Sequence, residues 1–162
     1  MKGKVHLYGD HVDTDQIIPG AYTKTLDVDE LASHVFEYLD TDFRTRMTSG
    51  DFVVAGEDFG CGSSREQAPL ALKAAGVAAV VASSFARIFY RNAINIGLPV
   101  VEIGPHDIEN GSELEIDLEA GALTDRTAQR TYPVTKIPAV MLDILREGGL
   151  VPYLKKHGDY QL

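Results

Sequence analysis

Residues 51–55 read Asp51-Phe52-Val53-Val54-Ala55, and the chain soon continues Phe59-Gly60-Cys61-Gly62-Ser63-Ser64-Arg65-Glu66-Gln67. The first run is apolar, β-branched and of strand length; the second puts two glycines, two serines and an arginine where a strand gives way to a helix. Pro69 fixes the start of that helix, because proline is tolerated in a first turn but costs about 3 kcal/mol in a helix interior. The helix is therefore expected from Arg65 to Ala75, closed by Gly76. Outward from there, residues 77–82 form a second apolar strand. Helical spacing through Phe85, Ile88 and Phe89 runs to Asn95 and stops at Gly97, and residues 99–103 form a third strand. The order β-α-β-α-β demands parallel strands joined by right-handed crossovers.

The flanks add to this core. Residues 4–8 alternate weakly and predict a short strand, and Pro19-Gly20 marks a turn followed by a loop over residues 20–26. Val28, Leu31, Ala32, Val35, Phe36 and Leu39 fall at helical spacing, with Asp27 and Glu30 set as a capping box, which predicts an amphipathic helix over 27–39. A polar connection follows to Ser49. Strict alternation over 113–119 predicts a strand with one wet face. Short strands near 122–124 and 131–134 then complete an added antiparallel element. Helices are expected near 139–146 and 151–156, separated by Gly148-Gly149. The fold class is α/β, built as one domain over residues 1–162.

Bulk composition narrows the function. With 24 acidic against 15 basic residues the formal net charge is −9, which disfavours nucleic acid and anionic lipid as partners. An anionic ligand then needs a local basic site. No apolar run approaches a membrane span, and the opening Met1-Lys2-Gly3-Lys4 lacks the apolar core of a signal peptide, so a cytoplasmic location is expected. Cys61 is the single cysteine; it permits no intramolecular disulfide, and this chain's thiols cannot by themselves build a zinc or iron–sulfur site.

At the glycine-rich junction, Ser63, Ser64 and Arg65 are expected at the mouth of the central helix. Unpaired N–H groups and the helix dipole favour an anion there, and the bare Cα atoms of Gly60 and Gly62 allow a ligand close to the backbone. Arg65 can add a bidentate clamp for a carboxylate or phosphate. A serine cap beside an exposed arginine is the competing reading, and both stay open on spacing alone; two serines with one arginine favour the anion seat. A dinucleotide fingerprint would need a glycine where Arg65 stands, and the P-loop lysine motif is missing. Asp13 and Asp15, in a turn, read as caps for backbone N–H groups rather than metal ligands. Arg87 and Arg91 share a helix face. The five histidines show no ligand spacing, and Cys61 reads as a small residue filling a tight turn.

Four stretches together resemble a known family: Asp13-Thr14-Asp15-Gln16-Ile17-Ile18-Pro19, Gly60-Cys61-Gly62-Ser63-Ser64-Arg65-Glu66, Ser84-Phe85-Ala86-Arg87-Ile88, and residues 91–99, Arg-Asn-Ala-Ile-Asn-Ile-Gly-Leu-Pro. The chain is similar to the small subunits of the aconitase superfamily, those of the 3-isopropylmalate dehydratase type. The resemblance implies a swivelling β/β/α domain that closes over a large iron–sulfur subunit. It implies a hydro-lyase that isomerises a 2-alkylmalate by loss and readdition of water, in leucine biosynthesis. No cofactor is expected on this chain, and a 4Fe–4S cluster is expected in the partner, whose open iron polarises the leaving hydroxyl. By the same match Ser63 is the catalytic base, held near its alkoxide form by N–H groups and Arg65. Gly62, Ser64 and Arg65 bind a carboxylate of a small dicarboxylate substrate, Asp15 is an active-site acid that orients a polar partner, and Arg87 supports the site. Arg91 receives no role, and a homo-oligomer of the isolated chain stays open.

The loop departs from the family pattern. Relatives carry Tyr-Leu-Arg-Thr in a segment that senses the substrate side chain, whereas this chain has Tyr22-Thr23-Lys24-Thr25. Tyr22, Lys24 and Thr25 stay as substrate-binding candidates, but the leucine's apolar contact and the arginine's planar fork are gone. Homoaconitase and 2,3-dimethylmalate dehydratase are therefore alternative activities, and a non-catalytic carboxylate-binding regulatory module is the alternative of another class.

Overall fold

The computed structural model describes residues 1–160. The chain runs β1 (Lys2–Leu7), α1 (Thr14–Ile17), a 3-10 turn at Gly20–Tyr22, α2 (Val28–Ser33), α3 (Phe43–Arg46) and β2 (Phe52–Val54). It continues with α4 (Gln67–Ala74), β3 (Ala79–Ala82), α5 (Arg87–Asn95), β4 (Val100–Glu102), β5 (Glu113–Asp117), β6 (Ala122–Asp125), β7 (Arg130–Pro133), α6 (Ala139–Arg146) and α7 (Leu150–His157). These strands form one sheet in the order β4-β3-β2-β1-β5-β6-β7. The expected β-α-β-α-β core is β2-α4-β3-α5-β4, all parallel, and β1 joins it parallel to β2 through Val5–Phe52. The first half of β1 also pairs antiparallel with β5, at Lys2–Glu115 and Lys4–Glu113, so this strand joins the two halves.

The apolar runs of β2 and β3 are continuous because both faces of the parallel half are buried. On one face Val53, Val80, Ala82 and Val100 join Leu31, Leu72, Phe89, Ala93, Ile144 and Tyr153 from the helices. On the other, Phe52, Val54, Ala79, Val81 and Val101 meet Leu114, Ile116 and Leu123 of β5 and β6. Burying each such valine, leucine or phenylalanine contributes about 1.5–3 kcal/mol. The antiparallel strands cover the second face because the sheet curls back on itself. Ile103 bridges Val134, and the Thr135 N–H donates to the Glu102 carbonyl at 2.9 Å, bringing the two outer edges together. Among the described residues no helix is long and apolar enough to cross a membrane.

The helix expected over 27–39 stops at Ser33. Asp27 caps it by accepting from the Asp29 and Glu30 N–H groups. At Phe36 the backbone turns left-handed (φ 56°) and its N–H donates to the Ile17 carbonyl at 2.9 Å, outside any helix. The fully buried Phe36 ring lies against Tyr8 and Phe43. Val35 and Phe36 are apolar because this turn is buried, and a tertiary bond overrides the helical period. A complete capping box forms instead at α1, where Asp13 accepts from the Gln16 N–H and Gln16 accepts from the Asp13 N–H.

Candidate functional site

Parallel strands deliver their C-terminal ends, and the loops that follow, to one side of a sheet. Here three such loops run alongside one another. Asp13 pairs with Cys61, and Phe59 with Phe85, as isolated parallel bridges. The Gly60 N–H donates to the Val12 carbonyl at 2.7 Å, and the Ala86 N–H to the Phe59 carbonyl at 3.0 Å. The pairing of β1, β2 and β3 thus extends into their loops and fixes where each side chain emerges.

Between these loops lies a cavity of about 260 Å³ lined by Thr14, Gly60, Gly62, Ser63, Ser64, Arg65, Ala86, Arg87, Ile88 and Phe89. Ser63 and Ser64 are exposed to it, and the Ser63 carbonyl accepts from the Thr14 hydroxyl at 2.9 Å. Both serines precede α4, which begins at Gln67 rather than Arg65. The helical wall of the cavity is the first turn of α5. Its first intrahelical bond is Tyr90 N–H to the Ala86 carbonyl, so the N–H groups of Arg87, Ile88 and Phe89 have no helical acceptor and favour an anion. The cavity is thus walled by the junction before α4 and the start of α5, not by the mouth of the central helix, where the sequence places an anion seat.

The two glycines serve different ends. A Cβ on Gly60 would lie 2.2 Å from Phe89 Cγ, so this residue is bare to admit the Phe89 ring rather than a ligand. Gly62 has φ +89° with only ordinary contacts around its missing Cβ, and it is glycine for backbone conformation.

Arg65 is not a free clamp. Its guanidinium pairs with Asp15 and donates to the Ile18 carbonyl at 3.4 Å. The Arg65 side chain is 19% exposed against 63% for Asp15, so the arginine is held in place by a carboxylate on the rim. Arg87, exposed, shares the cavity with the serines. Arg91 instead lines a larger apolar groove of about 610 Å³ on another side of α5, which contains neither serine and meets the cavity at Arg87.

Tyr22, Lys24 and Thr25 do not line the cavity. Tyr22 stacks on His34 with ring centroids 3.6 Å apart, and burial, then the nearby Glu37 carboxylate, pushes its hydroxyl pKa up. Lys24 is exposed, and the Thr25 hydroxyl accepts from the Asp27 N–H at 3.1 Å. The loop is nonetheless tied to the site: Gln67 Nε2 donates to the Thr23 carbonyl at 2.7 Å, and a Cβ on Gly20 would lie 3.3 Å from Arg65 Nη2.

Four lining residues, Thr14, Ala86, Ile88 and Phe89, carry no site expectation in the sequence. Thr14 sits in the Asp13–Pro19 motif, which is the one sequence signal for it, and the structure buries it. Ile88 shares the helical spacing of Phe85 and Phe89, yet it is 51% exposed and gives the cavity an apolar wall.

Known proteins similar to this chain place it in a family. The Aconitase C-terminal domain family matches residues 18–105. A 3-isopropylmalate dehydratase small subunit of Archaeoglobus fulgidus is 55% identical, covering 100% of this chain and 99% of its own. A methanogen homoaconitase small subunit of Methanothermobacter thermautotrophicus is 53% identical over 96% of this chain and 91% of its own. The crystal structure of a 3-isopropylmalate dehydratase from Methanocaldococcus jannaschii superimposes with a TM-score of 0.92 at 48% identity, covering 97% of this chain and 94% of that one. The expected family resemblance and fold class hold, and the chain belongs to the Aconitase C-terminal domain family, alongside the small subunits of 3-isopropylmalate dehydratase and methanogen homoaconitase.

Proposed function

We propose that the chain is the small subunit of a heteromeric 3-isopropylmalate dehydratase, a cytoplasmic hydro-lyase. Residues 1–162 then act as one swivelling domain that closes on a large subunit around a small dicarboxylate. The observation that carries this reading is the cavity itself, where two exposed serines share a wall with Arg65, Arg87, open helix-terminal N–H groups and the apolar side chains of Ala86, Ile88 and Phe89. Such a wall suits a molecule with carboxylates at one end and an alkyl group at the other.

In this reading the Ser63 Oγ takes the proton from the carbon beside a substrate carboxylate. A neutral hydroxyl is a weak base, so its anionic form needs the positive environment that Arg87 and the first turn of α5 supply. Ser64, Gly62 and Arg65 hold a carboxylate, and Asp15 acts as a positioning residue by fixing the Arg65 guanidinium. Ile88 offers the apolar contact that the loop no longer provides. A 4Fe–4S cluster does not fit this chain, because such clusters take three or four thiolates and Cys61 stands alone; the cluster belongs to the large subunit.

A homoaconitase small subunit is the second reading. It is favoured by the 53% identical methanogen relative. Anaerobic reconstitution with a large subunit, assayed on isopropylmalate, homoaconitate and dimethylmalate side by side, decides between the substrates. In the reconstituted pair Ser63→Ala is expected to lower turnover about 10²–10⁴-fold while the subunits still associate. Unchanged turnover with weakened carboxylate binding would instead assign a non-catalytic binding module.

A further inference from the structure

The turn that carries Ser63 has a second side. Gly60 and Gly62 line the cavity, whereas Cys61 between them does not. Its sulfur lies with His11 and Asp58, and one ligand atom from each of the three falls within 4.8 Å of the others. His11 Nδ1 and Asp58 Oδ2 are 3.5 Å apart. That is wider than the usual hydrogen bond of about 2.9 Å. It matches the roughly 3.3–3.6 Å between a nitrogen and an oxygen ligand of a tetrahedral zinc ion with bonds of about 2.0–2.2 Å. We propose that His11, Asp58 and Cys61 form a binding site for one divalent transition-metal ion of the zinc class, with solvent completing the coordination.

The backbone around each ligand is already fixed. The His11 N–H donates to the Glu57 carbonyl at 2.8 Å, the Asp58 N–H to Ser84 Oγ at 2.8 Å, and the Thr14 N–H to the Cys61 carbonyl at 2.9 Å. His11 and Asp58 both hold left-handed backbone, at φ 55° and 56°, a conformation uncommon outside glycine. A thiolate, an imidazole and one carboxylate suit zinc or cobalt, whereas magnesium and calcium require oxygen ligands throughout. Binding displaces the thiol proton to solvent and clamps the loop after β1 to the turn that carries Ser63.

Titrating the purified full chain with Co²⁺ tests this. A thiolate-to-cobalt charge-transfer band together with intense tetrahedral visible bands is expected, insensitive to excess Mg²⁺. Cys61→Ser should abolish the charge-transfer band, and His11→Ala and Asp58→Asn should each weaken Co²⁺ binding roughly 10-fold or more. Zn²⁺ should raise the melting temperature of the unaltered chain and not of Cys61→Ser. Absence of the charge-transfer band overturns the proposal. So does equal Co²⁺ affinity in the folded His11→Ala and Asp58→Asn variants, which would leave an isolated thiol as the only ligand.

Discussion

In the parallel half of the sheet both faces are buried, and the strand ends run into loops that hold Ser63, Ser64, Arg65 and Arg87 around one cavity. In the antiparallel half, β5 alternates Leu114 and Ile116 inward with Glu113 and Asp117 outward, and no residue of β5–β7 lines that cavity. The difference follows from strand direction. Parallel strands send successive loops to one side, where side chains distant in sequence converge, whereas antiparallel neighbours return through tight turns that alternate between ends. Substitutions in the first half should therefore disturb the cavity and the core together, and substitutions in the second should change stability alone.

Gly60→Ala is the most severe stability test of that division. The new Cβ meets Phe89 at 2.2 Å and sits on a φ of +83°, so overpacking and left-handed strain add. A loss of about 2–4 kcal/mol is expected in urea unfolding, with Phe89 displaced from the α5 wall of the cavity. A loss below about 1 kcal/mol would show that the Phe59–Phe85–Phe89 contacts are soft.

The counterpart in the antiparallel half is Asp125→Ala. Asp125 is fully buried, and its Oδ1 accepts from the Thr127 and Ala128 N–H groups at 3.0 Å each, forming the turn into β7. Leaving both donors without an acceptor should cost about 1–3 kcal/mol. Turnover of the reconstituted pair at a permissive temperature should stay unchanged, and a fall in turnover without unfolding would break the division between the halves.

Asp51, just before β2, gives the comparison a pH axis. Burial opposes its ionisation, but hydrogen bonds from His6 Nε2 at 2.9 Å, the Thr48 N–H at 2.9 Å and the Lys4 N–H at 3.1 Å outweigh that, so its carboxyl titrates below the usual value. A depressed folded-state pKa means the stabilisation is complete above the unfolded value, near pH 4, and is lost as pH falls through the folded one. Denaturation measured from pH 6 to pH 3 should show this loss, and Asp51→Asn should flatten it. An equally steep curve in the variant would assign the acid sensitivity to other carboxylates.

The parallel core was legible because two-sided burial leaves continuous apolar strands, while Gly76 and Gly97 mark where α4 and α5 end. Reading failed where a tertiary bond set the conformation. Phe36 fits a helical period perfectly well, yet its N–H is bound to Ile17. The site was half legible for the same reason. Ser63, Ser64 and Arg65 lie in one short motif, and their convergence with Arg87 follows from a parallel sheet. The Asp15–Arg65 pair, the α5 wall and the His11–Asp58–Cys61 group depend on how three loops align beyond the strand ends, and that alignment leaves no local trace in the chain.

The smallest effect belongs to the wet face of the antiparallel half. Arg126 pairs with Glu115 across β5 and β6, with side chains 55% and 38% exposed. Water screens such a pair, and holding two long side chains together offsets much of the attraction. Arg126→Ala should therefore change stability by no more than about 0.5 kcal/mol at physiological salt, and turnover should not change. A much larger loss would mean that the outer face of β5–β7 is covered by another chain, and the contrast between a buried parallel half and an exposed antiparallel one would then hold only for the isolated subunit.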